Sequence, residues 1–251
     1  MMRALLIGLL LLAAGPSLAA ETFVGSDADA QRTMLGFKVP DAAIRKVLPQ
    51  GWEPDVAISG PDRDINLYLT FIDRLTAQNA EGRALGPLRL VTVTIPAKKM
   101  RSETRGFMAF RLYSATASGV PGPYRVAVQA DITTERKVRI DPAGTTTVEE
   151  SWEVRSADAD VIQLQVQYVR GSLTPGKTEG RFYSLVEPSF YRIYRSEQLM
   201  DVVRESTTDR VQKIMFKVFA PKLAPLLEGS EQPIGITSVP WYTRQTYLGG
   251  S

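Results

Sequence analysis

The sequence predicts a mainly β protein: a single curled antiparallel sheet or barrel-like domain with one or two short helices, behind a leader that is cleaved. Three observations lead there. Segments rich in β-branched and aromatic residues recur along most of the chain, helix signals are confined to a short stretch, and no repeat or low-complexity tract interrupts the pattern. An antiparallel sheet of roughly ten strands exposes long edges unless it curls or closes, which makes a barrel the economical architecture. Curled sheets of that size commonly enclose a cavity.

The leader comes first. Arg3 supplies a positive start, Ala4 to Ala14 is almost wholly apolar, and Gly15-Pro16 breaks the run. Ser17-Leu18-Ala19-Ala20 then offers small residues to a signal peptidase. That layout predicts a secretory signal over residues 1–20 and a single domain over 21–251, periplasmic or secreted. No later stretch is apolar enough to span a bilayer, so stable membrane insertion is not expected after cleavage.

The elements follow in order. In "VPDAAIRKVLPQGW", Pro40 and Asp41 open a helix of about two turns, Ile44, Val47 and Leu48 form its apolar stripe, and Pro49 stops it. "INLYLTFID", "LRLVTVTI", "FMAFRLYS" and "YRVAVQADI" read as strands. "KVRIDPAGTTTVEESWEV" reads as a hairpin turning at Asp141-Pro142-Ala143-Gly144. "VIQLQVQYVR" alternates with period two, Ile162, Leu164, Val166 and Tyr168 on one face and three glutamines on the other. "RVQKIMFKVFAP" is compatible with a helix by composition, but its strand neighbours and Pro221 favour a strand. "IGITSVPWYTRQTYL" is the last strand, with Pro240 at an edge or bulge.

Composition excludes several chemistries. The chain has no histidine and no cysteine, which rules out Ser-His-Asp and Cys-His catalysis, histidine-based metal sites, disulfides and lipoprotein attachment. Neither a cofactor nor a metal site is predicted. Without Arg3 the formal +3 falls to about +2, with the signs interspersed, unlike the clustered cations of a nucleic-acid binder.

"VPDAAIRKVLPQGWEPD" carries a family resemblance. Asp41, Ala43, Arg45 and Pro49, followed by Gly51 and Glu53, resemble the opening of acetoacetate decarboxylase-like proteins, and the later order of elements is similar. The resemblance implies a curled antiparallel sheet around an apolar pocket. In decarboxylating members it also implies a Schiff base between a lysine and a β-keto acid, with a proline followed by two lysines after Gly-Arg-Glu and a carboxylate from earlier in the chain.

This sequence departs from that pattern. "TIPAKKM" supplies Lys98 and Lys99 as catalytic candidates, but one strand too early and without Gly-Arg-Glu before it. In the expected place stands "SATASGVPGPYRV", with no lysine until Lys137. Lys98 and Lys99 also lead into the polar run Arg101-Ser102-Glu103, whereas a nucleophilic lysine needs burial or a cationic neighbour to lose its proton.

Ligand-binding candidates come from three segments. "NAEGRALGP" places Glu81 and Arg83 near where the family's pocket carboxylate falls, with Asp73 shortly before; a solvated turn is the alternative. In "SFYRIYRSEQ", Phe190, Arg192 and Tyr194 share one strand face, and an arginine on an aromatic wall suits a carboxylate ligand. In "SVPWYTRQ", Trp241 lines a cavity or caps the barrel end. The expectation is an exported protein that binds a small apolar or carboxylate-bearing molecule, with a decarboxylase- or lyase-like enzyme acting on a keto acid as alternative and an envelope interaction protein as third. Ligand identity and oligomeric state are not legible.

Overall fold

The computed structural model describes residues 21–229 and 231–249; the leader predicted over residues 1–20 lies outside them. Thirteen strands and one α-helix follow one another along the described chain. β1 (Thr22–Phe37) leads into α1 (Asp41–Val47), then β2 (Trp52–Pro54), β3 (Leu67–Asn79), β4 (Leu88–Lys99) and β5 (Arg105–Ser114). β6 (Ala127–Ile140), β7 (Thr146–Ser156), β8 (Val161–Val169) and β9 (Thr174–Ser184) come next. β10 (Tyr191–Glu205), β11 (Thr208–Asp209), β12 (Val211–Phe219) and β13 (Gly235–Leu248) complete the set.

Seven strands close a barrel. They run in the order β5, β9, β10, β13, β1, β3, β4, and pairing between β4 and β5 closes the ring. Most neighbours are antiparallel; β5 and β9 are parallel. β6, β7, β8 and β12 form a four-stranded extension attached to β5 through a short parallel pairing with β6. The expected mainly β, barrel-like domain is therefore found, and closure leaves the seven barrel strands without free edges.

The extension lies against one wall of the barrel, and the main apolar core sits between them. Leu35 and Phe37 of β1, Leu69 and Phe71 of β3, and Val91 and Val93 of β4 are fully buried there. They meet the extension through Phe71 against Trp152 (ring centroids 5.5 Å apart) and Phe37 against Phe216 (5.2 Å). Each such side chain stabilises the fold by about 1.5–3 kcal/mol. Because this face packs against another sheet, the alternate residues of β1, β3, β4 and β13 point into the barrel.

Local signals explain the remaining elements. Pro40 opens α1, Ile44 is its buried residue, and Leu48 ends it in an extended conformation before Pro49. Asn66 clamps the approach to α1, accepting from the Val39 amide (2.9 Å) and donating to the Val39 carbonyl (2.8 Å). The β6–β7 hairpin turns where Gly144 adopts a positive φ of 84°, with its amide on the Asp141 carbonyl. "RVQKIMFKVFAP" forms β12, antiparallel to β8. Pro240 sits in β13 beside a register shift against β10, between Leu199 and Asp201.

Candidate functional site

The inner face of the barrel is unusually charged. Asp27 and Asp29 of β1, Arg32 of β1, Arg74 of β3, Arg192 of β10 and Arg244 of β13 all occupy it. Cross-strand registers put them there: Asp27 opposite Arg244, Asp29 opposite both Tyr242 and Arg74, and Arg32 opposite Ile72. A bulge makes this possible. Asp29 and Gln31 oppose Arg74 and Asp73, leaving Ala30 without a partner on β3. The extra residue turns both Asp29 and Arg32 inward, where strict alternation would separate them.

Direct contacts knit part of the cluster. Arg244 donates from Nε (3.0 Å) and Nη2 (2.6 Å) to Asp27 Oδ2. Arg32 donates from Nε to Asp29 Oδ2, lies 4.0 Å from Asp27, and stacks its guanidinium over the Tyr242 ring at 3.3 Å. Arg244 lies over the Tyr194 ring at 4.1 Å. The hydroxyl of Tyr194 shares a 2.5 Å hydrogen bond with that of Tyr124, which the loop between β5 and β6 delivers. Ser184 Oγ fixes this loop by donating to the Tyr124 carbonyl.

The cluster also has unused capacity. Nε of Arg74, Nε of Arg192 and one oxygen each of Asp27 and Asp29 are buried without a hydrogen-bond partner among the described residues. Four guanidiniums face two carboxyls, so the site carries excess positive charge in a desolvated setting. The electrostatics follow. Burial raises the Asp29 carboxyl above its usual range despite Arg32, and burial lowers Arg74. Burial opposes charge on Arg244 as well, but Asp27, Tyr194 and Tyr242 together outweigh it and hold the guanidinium above its usual value. Burial, then Tyr194, pushes the Tyr124 hydroxyl well up.

Two cavities touch the inner face. One, of about 670 Å³, has Asp27, Ser196 and Arg244 in its lining, together with Thr178 and Glu179 of β9. The other, of about 520 Å³, includes Tyr68, Phe107, Glu179 and Gly180. Of the cluster, Asp27 and Arg244 border the first cavity, which is large enough for a small organic acid.

The residues singled out from sequence fall into two groups. Arg192 and Tyr194 point inward as their alternation predicts, and both join the cluster. The others lie elsewhere. Asp73 is on the opposite face of β3, 3.5 Å from Arg89. Glu81 and Arg83 are exposed in the turn after β3. Trp241 is 44% exposed, on the other face from Tyr242. Lys98 and Lys99 lie at the end of β4, opposite Glu53 and Trp52 of β2, and Lys98 pairs with Glu53 at 3.5 Å. No described lysine is buried. Sequence reading missed Asp27, Asp29, Arg32, Arg74, Arg244 and Tyr124. Alternating Asp27 and Asp29 in "SDADAQR" was the available signal.

A second buried polar group joins the barrel to the extension. Glu150 of β7 accepts from Trp152 Nε1 (2.5 Å) and Thr33 Oγ1 (2.7 Å), while Gln31 and Tyr168 both donate to Ser238 Oγ. Burial raises the Glu150 carboxyl above its usual value. This group fixes how the extension seats on the barrel.

The closed barrel with its strand-rich flank is an acetoacetate decarboxylase-like fold. Among solved structures, the enduracididine biosynthesis enzyme MppR complexed with pyruvate is similar at 14% identity and a TM-score of 0.53, covering 95% of this chain and 93% of that one. Acetoacetate decarboxylase from Legionella pneumophila is similar at 10% identity and a TM-score of 0.53, with the same coverage. An acetoacetate decarboxylase-like enzyme from Sphingomonas wittichii RW1 is similar at 11% identity and a TM-score of 0.52, covering 96% of both chains. No family model and no curated protein matches the sequence. At these identities the likeness is one of fold.

Proposed function

We propose that this is an exported protein that binds a small carboxylate-bearing molecule inside its barrel. The observation that carries the reading is the surplus of guanidinium groups on the inner face, with Nε of Arg74 and of Arg192 unpartnered. A carboxylate entering there gains charge-assisted hydrogen bonds and offsets the surplus charge. The complex of MppR with pyruvate, a small keto acid held by a similar fold, is compatible with a ligand of this class. The leader-like layout of residues 1–20 supports export, and mass spectrometry of the mature N terminus in a periplasmic fraction tests it.

The binding reading is tested by thermal shift with pyruvate, acetate and butanoate against wild type and Arg192→Met. Stabilisation of wild type that the variant loses supports it. No stabilisation by any of the three counts against it.

One observation favours a second reading, a lyase-like enzyme acting on a keto acid. Asp29 is a buried carboxyl with a raised proton affinity, next to the anion site. Such a group can hold a proton for transfer. Turnover of a keto acid that Asp29→Asn abolishes, with binding retained, would establish it.

A further inference from the structure

The two cavities are neighbours, and aromatic rings run between them. On β9, Thr178 lines the cavity at the arginine cluster and Gly180 lines the other, two residues along the same inward row; Glu179 borders both. From the cluster, Tyr194 lies 4.8 Å from Phe182, Phe182 stacks on Phe107 at 5.0 Å, and Phe107 meets Tyr68 at 6.0 Å. Phe107 and Phe182 are only half-buried although they point inward, so ring surface remains uncovered inside the barrel. Gly180 stands opposite Tyr194 in the register and contributes no side chain to fill that space.

Resting on the carboxylate-binding reading, we infer that the ligand is an arylalkyl carboxylic acid. Its carboxylate meets the cluster's guanidiniums, Arg192 and Arg74 among them, beside the Tyr124–Tyr194 pair, and its aromatic tail passes Gly180 to lie along Phe182 and Phe107. Two features separate this from a site for short keto acids. The aromatic strip leads away from the arginine cluster for three successive ring contacts, further than a three- or four-carbon acid reaches, to a cavity rimmed by Arg105 and Arg181. The inner wall also lacks bulk at Gly180, where a side chain would take up space at the edge of the second cavity against the Phe182 ring.

The test is calorimetric titration of butanoate and 4-phenylbutanoate, which differ by one phenyl ring, into wild type and Gly180→Leu. Gly180 has no positive φ, and an added Cβ meets only the Phe182 ring at 3.4 Å, so a side chain is tolerable there. In wild type the phenyl acid is expected to bind at least about tenfold more tightly. Gly180→Leu should remove most of that gain and leave butanoate affinity unchanged. Phe107→Leu, which keeps an apolar residue in the strip, should reduce the gain as well and serves as the second variant. Equal binding of both acids by wild type overturns the inference while leaving carboxylate binding intact. So does a phenyl gain that neither variant alters. Failure of both acids to bind overturns the carboxylate reading and this inference with it.

Discussion

Arg244 of β13 and Asp27 of β1 form a two-pronged hydrogen-bonded ion pair on the inner face of the barrel, both prongs ending on one carboxylate oxygen. The pair ties two adjacent strands and leaves the other oxygen of Asp27 without a hydrogen bond. Removing one partner of such a pair strands the other charge in a desolvated site, at about 3–5 kcal/mol. Asp27→Ala is therefore expected to destabilise by about that amount. The double variant Asp27→Ala/Arg244→Met should recover a large part of the loss. Urea unfolding of the four proteins in the cycle measures it.

Arg74 behaves differently. Its guanidinium is half-buried, with Nε unpartnered among the described residues, and burial lowers its proton affinity. Arg74→Met is expected to leave stability unchanged or slightly raised, while weakening carboxylate binding by roughly 10- to 100-fold, the worth of one charge-assisted hydrogen bond. Unfolding curves and titration on the same preparation separate the two effects.

Glu150 gives a pH signature. Its carboxyl is raised above its ordinary value of 4.5 by burial, against the pull of Trp152, Thr33 and Arg136. The native state therefore binds the proton more tightly than the unfolded chain. This contribution to stability is fully present below pH 4.5 and is lost as pH rises through the raised native value. Glu150→Gln keeps an acceptor for Trp152 and Thr33 without the charge, so it should remove the fall in stability between pH 4.5 and the raised native value. Glu150→Ala leaves both donors unsatisfied and should cost about 2–4 kcal/mol. Denaturation midpoints from pH 4 to 8 report both outcomes.

Lys98 and Lys99 are expected to form no imine with acetoacetate. Lys98 is held by Glu53 and is 40% exposed at a strand end, outside the buried inner cluster where a ligand would meet it. Borohydride reduction in the presence of acetoacetate, followed by peptide mass mapping, should show no adduct at either position. An adduct at Lys98 would contradict this placement and point to Schiff-base chemistry at the strand end.

The parts of the fold that announce themselves are those whose two faces differ in polarity. "VIQLQVQYVR" became β8 because its apolar row meets a core and its glutamines do not. Arg192 and Tyr194 were put on one strand face by the same alternation, and closure of the barrel turns that face inward. β1 was invisible for the opposite reason. In "TFVGSDADAQRTMLGF" the inward row carries Asp27, Asp29 and Arg32, so burial and polarity run against each other, and the bulge at Ala30 breaks the period. The strand most difficult to recognise is the one that supplies both carboxyls of the site. Arg244 sat in a recognised strand and Arg74 one residue beyond the end of another, but only closure of the barrel brings them opposite β1.

The most direct test of a cationic barrel interior is calorimetric titration of butanoate against butanamide, which match in shape and differ in charge. Saturable 1:1 binding of butanoate that weakens with added salt, with the amide at least about tenfold weaker, is the predicted result. Equal affinity for the acid and the amide would contradict it.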